Sequence, residues 1–339
     1  MTKRELVITA LNHKATEIVP FHSDFTIGSH EKMVNYYDDP NFLQKTGNYL
    51  HYLSYSGLEH ESTDRKGYIQ DAFGVVWNRS GVDKDIGVIE EPYVCSLENY
   101  SFPDIKLDEV HLRKHCAALK NASDERFTFS GIGFSMFERA WTLCGMENIL
   151  MGMILNPSEL DQLLDDICDY NLKIIDISLE YDLDGFYFGD DWGQQKGLIM
   201  GAVNWRRFIK PRMKRMYQKV KESGKFVIQH SCGDIEEIFP DLIEIGLDCY
   251  QTFQPEIYDI EKIKLQYGDK LSFWGGISTQ HLLPHATPDE VKKEIVRIIK
   301  IMSKGGGYIV APTHALTYDI PPENIAAMLE VFQNQDQYL

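Results

Sequence analysis

The residues best suited to chemistry lie in Lys225-Phe-Val-Ile-Gln-His-Ser-Cys-Gly-Asp234. Val227 and Ile228 belong to a short apolar run that reads as a buried parallel strand. His230 and Cys232 stand at its end, and Gly233 turns the backbone toward the next helix. Residues two apart in an extended chain share a face, so His-x-Cys aims an imidazole and a thiol at one point. Both are good zinc ligands. A chain with 11 His and 6 Cys also produces such a pair by chance, so the metal reading needs a third ligand and elements that bring it there.

Those elements follow a strand-then-helix rhythm. Residues 3–14 read as an amphipathic helix and Ile18–His22 as a first short strand, with Asp24 just beyond it. Residues 28–62 hold helical stretches. Residues 67–94 alternate around Gly74 and Gly81 as an antiparallel meander, a cap on one end of the main fold. From Pro103 a helix-rich linker leads to a strand at 127–133 and a helix through Met153. Asn156-Pro157 starts a long helix, and strands at 185–189, 225–230, 247–251, 271–275 and 306–312 alternate with helices. The helix over 205–222 is expected to kink at Pro211.

The 339 residues, 43% hydrophobic and 25% charged, are enough for a full core, read as one domain over 1–339. No apolar run approaches membrane-spanning length. The N-terminus opens a helix with a Thr2/Glu5 capping box and lacks the apolar core of a signal peptide. Cys95, Cys116, Cys144, Cys168, Cys232 and Cys249 lack framework spacing, and Cys249, inside a strand, reads as buried and inert. A reduced, cytoplasmic setting is the economical expectation. The net charge of −17 argues against a nucleic-acid groove and makes the bulk surface a poor match for a highly anionic substrate.

Repeated βα units imply a parallel sheet, either doubly wound or closed. No Gly-rich phosphate fingerprint follows a strand. The polar residues fall at strand C-termini: Asp190 and Asp191, His230 and Cys232, Gln251 and Gln254, Ser278, and His314. A barrel gathers those positions at one mouth, so the expected fold is a (β/α)8 TIM-type barrel with an N-terminal helical and β-meander elaboration. His314 lies 82 residues beyond Cys232, natural for separate barrel strands, and is the expected third ligand. Three protein ligands leave the open position of a catalytic metal.

Several stretches together resemble the uroporphyrinogen decarboxylase superfamily, which includes zinc-dependent, corrinoid-linked methyltransferases. They are Val19-Pro20, Asp71-Ala-Phe-Gly-Val-Val-Trp77, Phe137-Glu-Arg-Ala-Trp141 with Gly145, Gly189-Asp-Asp-Trp-Gly193, His230-Ser-Cys-Gly233 and Gly305-Gly-Gly-Tyr…Pro321-Pro-Glu-Asn324. The resemblance covers nearly the whole chain. It implies a (β/α)8 barrel with its active site at the mouth, and a dimer is a reasonable expectation at family level. The decarboxylases carry an Arg-rich segment for tetrapyrrole carboxylates, whereas the matching stretch here, Val19 to Gly28, has no arginine. The methyltransferases hold zinc with His-x-Cys and a late Cys, and this chain offers His314 in that last place. The resemblance therefore implies zinc, a corrinoid on a partner protein, and a small methyl donor. The alternatives are a metal-free tetrapyrrole decarboxylase and a non-catalytic ligand-binding member.

Asp190 and Asp191 are candidates for a fourth ligand, a general acid or a support for the histidines, and an Asp-Asp-x-Gly turn is also a common helix cap. Asp24 and Gln251 are candidate substrate contacts. Trp192, Phe253 and Trp274 at strand ends read either as an aromatic wall for a ring-bearing ligand or as core. Glu138 and Arg139 read as scaffold residues, with an ion pair between them as one reading. Two His and one thiolate leave zinc one formal positive charge, favouring an oxygen-linked donor such as a methoxylated aromatic. A carboxylate ligand such as Asp190 would return the site to neutrality.

Overall fold

A computed structural model describes residues 1–54, 61–81, 88–91, 96–121 and 125–339. Thirteen strands occur among them. Seven form one parallel sheet in the order β1 (Leu50–Ser54), β6 (Phe127–Ile132), β7 (Gly185–Gly189), β10 (Phe226–His230), β11 (Cys249–Phe253), β12 (Ser272–Ile277) and β13 (Tyr308–Pro312). β6, β11, β12 and β13 are buried at every position, as parallel strands covered on both faces require.

The two edges of this sheet meet across residues 20–22. The Val310 amide donates to the Pro20 carbonyl at 2.9 Å, the His22 amide to Val310 at 3.1 Å, and the Tyr49 amide to Phe21 at 3.0 Å. The expected first strand is thus the eighth stave of a closed barrel, shortened to a bridge at Phe21. Closure brings His22 and Asp24 to the same mouth as the ends of the other strands. The (β/α)8 expectation holds.

The meander is a four-stranded antiparallel sheet, β2 (Glu61–Ser62), β3 (Tyr68–Gln70), β4 (Val76–Asn78) and β5 (Val88–Glu91). Gly87, Pro92–Val94 and Cys95 lie outside the described residues. A fully buried ion pair ties the meander to the barrel. The Arg139 guanidinium donates to Asp71 at 3.0 Å and lies 4.1 Å from the Phe73 ring centroid. Asp71 also accepts from the amides of Phe73 and Val75 and from the Trp77 indole. Arg139 therefore pairs with Asp71 rather than with its neighbour Glu138, which points toward the mouth.

A short hairpin, β8 (Gly193–Gln194) with β9 (Gly197–Leu198), follows β7. Beyond it the irregularity expected at Pro211 lies one turn earlier. Trp205–Ile209 is a π-helical turn, with the Lys210 amide reaching back to Trp205, before helix Lys210–Glu222. Pro211 has no amide to donate, and the widened turn accommodates it. Cys116, Cys144, Cys168 and Cys249 are buried. No helix among the described residues is long and apolar enough to cross a membrane.

Replacing Asp71 with alanine strands the Arg139 charge and three further donors. Asp71→Ala is expected to destabilise the chain by about 3–5 kcal/mol, read as a lower urea midpoint at unchanged slope. A loss below about 1 kcal/mol, the scale of an exposed pair, would show that the meander is not anchored by this pair.

Candidate metal centre and substrate cavity

Strand alternation and one loop crossing build the centre. The side chains of Asp190 and Asp191, adjacent at the end of β7, go opposite ways. The Asp190 carboxylate is fully buried and accepts from the amides of Met136, Phe137 and Glu138 at 3.3, 2.9 and 2.8 Å. The Trp192 indole donates to it at 2.5 Å. Burial pushes its pKa up to about 6 against these donors, leaving it ionised at neutral pH. Asp190 thus anchors the start of helix Phe137–Cys144 and does not face the mouth.

Asp191 faces the mouth. Its carboxylate accepts from the Cys232 amide at 2.7 Å and lies 3.3 Å from His230 Nε2. Cys232 Sγ is 3.6 Å from the same nitrogen. The three donor atoms lie within 4.8 Å of one another. His230 Nδ1 is hydrogen-bonded to the side-chain oxygen of Gln251, which directs Nε2 at the cluster. Burial alone would lower the His230 pKa, but Tyr187, Cys232 and Asp191 raise it well above the usual value. Burial would raise Asp191, yet His230 and the Cys232 amide hold it down to about 2. Burial raises the Cys232 thiol, with His230 opposing. Burial and the charges of Asp191 and Asp190 raise Glu138 well above its usual range.

Two glycines let these loops meet. A Cβ on Gly233, which has φ +78°, would stand 2.2 Å from the Gly193 carbonyl carbon, and one on Gly193 would stand 2.6 Å from the Cys232 oxygen. Only backbone fits at the crossing, which the Trp192 amide to Ser231 Oγ and the Gly233 amide to Gln254 secure.

Beside the cluster lies a cavity of about 170 Å³ that includes His230, Gln251, Trp274 and His314. The His314 ring centroid is 6.2 Å from that of His230. His314 is exposed as a whole, but the surrounding mouth excludes enough water, and His230 is close enough, to hold its pKa below the usual value. The other wall holds Asp24, which pairs with His22 Nε2 at 2.9 Å and accepts from the Tyr52 hydroxyl at 2.5 Å. Burial would raise Asp24, but these partners keep it below the carboxylate range. Tyr52, Tyr187 and Trp274 form a continuous aromatic surface, with centroids 5.8–6.4 Å apart.

Residues 67–335 match the uroporphyrinogen decarboxylase (URO-D) family. The chain belongs to this family. It is 22% identical over 191 residues to a methylated-thiol–coenzyme M methyltransferase of Methanosarcina mazei, covering 56% of this chain and 49% of that protein. It is 21% identical over 187 residues to a uroporphyrinogen decarboxylase of Methylococcus capsulatus, covering 52% and 49%. The chain thus spans about half the length of these relatives. A solved methyltransferase from Methanosarcina mazei superposes with a TM-score of 0.72 over 99% of both chains at 16% identity, a likeness of fold.

In this URO-D family member, Asp24, Gln251, Trp274, His230 and His314 share one cavity, and Asp191 and Cys232 adjoin it. Three expectations change. Asp191 rather than His314 completes the tight group with His230 and Cys232. Asp190 belongs to the scaffold. The aromatic wall lacks Trp192, which packs on Trp205, and Phe253, which stacks on Tyr258; both are fully buried in the core. Sequence reasoning missed His22, Tyr52, Tyr187 and Glu138. Tyr52 and Tyr187 sit mid-strand with inward parity, a signal that needs the strand boundaries.

The nitrogen, sulfur and oxygen donors and the fixed His230 tautomer fit zinc. Cys232→Ala and Asp191→Ala are expected to lose stoichiometric zinc in metal analysis with thermal unfolding little changed, while His314→Ala retains it. Full zinc in Cys232→Ala would sink the assignment. Loss only in His314→Ala and Cys232→Ala would restore His314 as the third ligand.

Proposed function

We propose that this chain is a zinc-dependent methyltransferase that moves a methyl group between a small substrate and a corrinoid protein. The Asp191, His230 and Cys232 cluster carries the reading, because three donors at a barrel mouth leave a position for substrate. Bound there, zinc would supply the Lewis acidity that holds a substrate heteroatom as it gains or loses a methyl group. The chain's residues do the remaining work. Gln251 fixes the His230 ring, and Asp191 takes a hydrogen bond from the Cys232 amide that sets the thiol's position. The aromatic surface excludes water from one side of the cavity. Likeness in sequence and in fold to methyltransferases supports the same reading.

A tetrapyrrole carboxy-lyase is the activity of other relatives. Its substrate bears several carboxylates, and no Lys or Arg lines this cavity among the described residues. The volume of about 170 Å³ is also below the roughly 300–1,000 Å³ that encloses a drug-sized ligand. The geometry therefore favours the methyltransferase.

The donor atom follows less directly. An oxygen-linked donor was expected from a site with one net positive charge. Were zinc bound there, an ionised Asp191 and a Cys232 thiolate would cancel its charge, and charge would then not separate oxygen from sulfur. The substrate class is small O-methyl and S-methyl compounds, methoxylated aromatics among them.

The test offers zinc-loaded protein a reduced corrinoid protein with methoxyarenes, methanol and methyl thioethers, and a methylated one with thiols. Methyl transfer, followed by corrinoid absorbance, is expected from at least one class and is lost in Cys232→Ala. Carbon dioxide release from uroporphyrinogen without any methyl transfer would overturn the proposal.

A further inference from the structure

The wall around Asp24 has a chemistry of its own. The carboxylate is held at both oxygens, by His22 Nε2 on one and the Tyr52 hydroxyl on the other, yet 41% of its side chain stays open. An ionised carboxylate accepts about four hydrogen bonds, so acceptor capacity remains for a ligand. His22 donates from Nε2 to one Asp24 oxygen, and its Nδ1 is buried with no partner among the described residues.

Beside this carboxylate, the Trp274, Tyr52 and Tyr187 rings line the same cavity, with centroids 5.8–6.4 Å apart. Aromatic rings attract cations that approach their faces. No Lys or Arg lines the cavity among the described residues, and the chain carries a net charge of −17. A carboxylate or sulfonate placed there would meet Asp24 without a counter-charge. An ammonium group would find a carboxylate and an aromatic surface together.

We propose that Asp24 is a specificity determinant that receives a protonated amine, so that the methyl-bearing substrate is cationic. The inference rests on the methyltransferase reading for the methyl group, and on Asp24, its partners and the aromatic surface for the amine. It commits the cavity to small aminated ethers or thioethers and against anionic thiols.

A matched series of methoxyethylamine, methoxyethanol and methoxypropionate tests it, titrated into zinc-loaded protein with Trp274 fluorescence as the readout. The amine is expected to bind about tenfold or more tighter than the alcohol, with no saturation by the carboxylate. Asp24→Asn, which keeps the shape of the wall, should remove the preference for the amine over the alcohol. Asp24→Lys should favour the carboxylate. Equal binding of amine and carboxylate by the unmodified protein would overturn the inference, as would an unaltered ranking in Asp24→Asn. Methyl transfer to the corrinoid protein is scored separately. The amine ranking without any transfer would defeat the methyltransferase reading alone, and transfer from methoxypropionate as fast as from the amine would defeat this inference alone.

Discussion

A carboxylate withdrawn from water must be surrounded by donors, and Asp190 collects four from two parts of the chain. That one group fixes much of the site. It holds the first amides of helix Phe137–Cys144, which carries Arg139 to Asp71 and so seats the meander. It fixes the Trp192 indole in the core. Because neighbouring residues at a strand end face opposite ways, burying Asp190 leaves Asp191 at the mouth. The geometry at the mouth depends on a carboxylate buried beneath it.

The second constraint is steric. Gly193 follows the Asp-Asp-Trp turn and Gly233 follows His-Ser-Cys, and each occupies the space a side chain on the other would need. Two motifs that look independent in sequence are halves of one crossing. The Cys232 amide reaches Asp191 only because the backbones touch. This proximity is why Asp191 enters the donor cluster, and nothing in the spacing of either motif alone announces it.

Much of the barrel was legible because strands buried on both faces are written as apolar runs between helical stretches. Even the closing stave at residues 20–22 could be read, although only a few hydrogen bonds hold it. His230, Cys232 and Gln251 were legible from their place at strand ends. Phe253 was not. It shares parity with Gln251 and would face the mouth in a regular strand, but the register against β12 shifts between these two residues and turns Phe253 into the core. Trp192 and Asp190 were misread for a different reason. Their partners at 136–138 and at Trp205 are distant in sequence, and a strand-end aromatic or carboxylate looks the same whether it faces core or cavity.

Composition places an excess of acid on the chain, yet the field in the cavity is set by a few groups. On one side, donor atoms of Asp191, His230 and Cys232 lie within 4.8 Å of one another. His22 faces Asp24 through Nε2, and its Nδ1 is buried with no partner among the described residues. Burial and His230 hold the His314 pKa below its usual value. On the other side Asp24 is fixed by His22 and Tyr52 and open to the cavity. Asp24 follows the first stave of the barrel, whereas the Asp191, His230 and Cys232 cluster follows strands from its middle, so the two groups hang on separate elements.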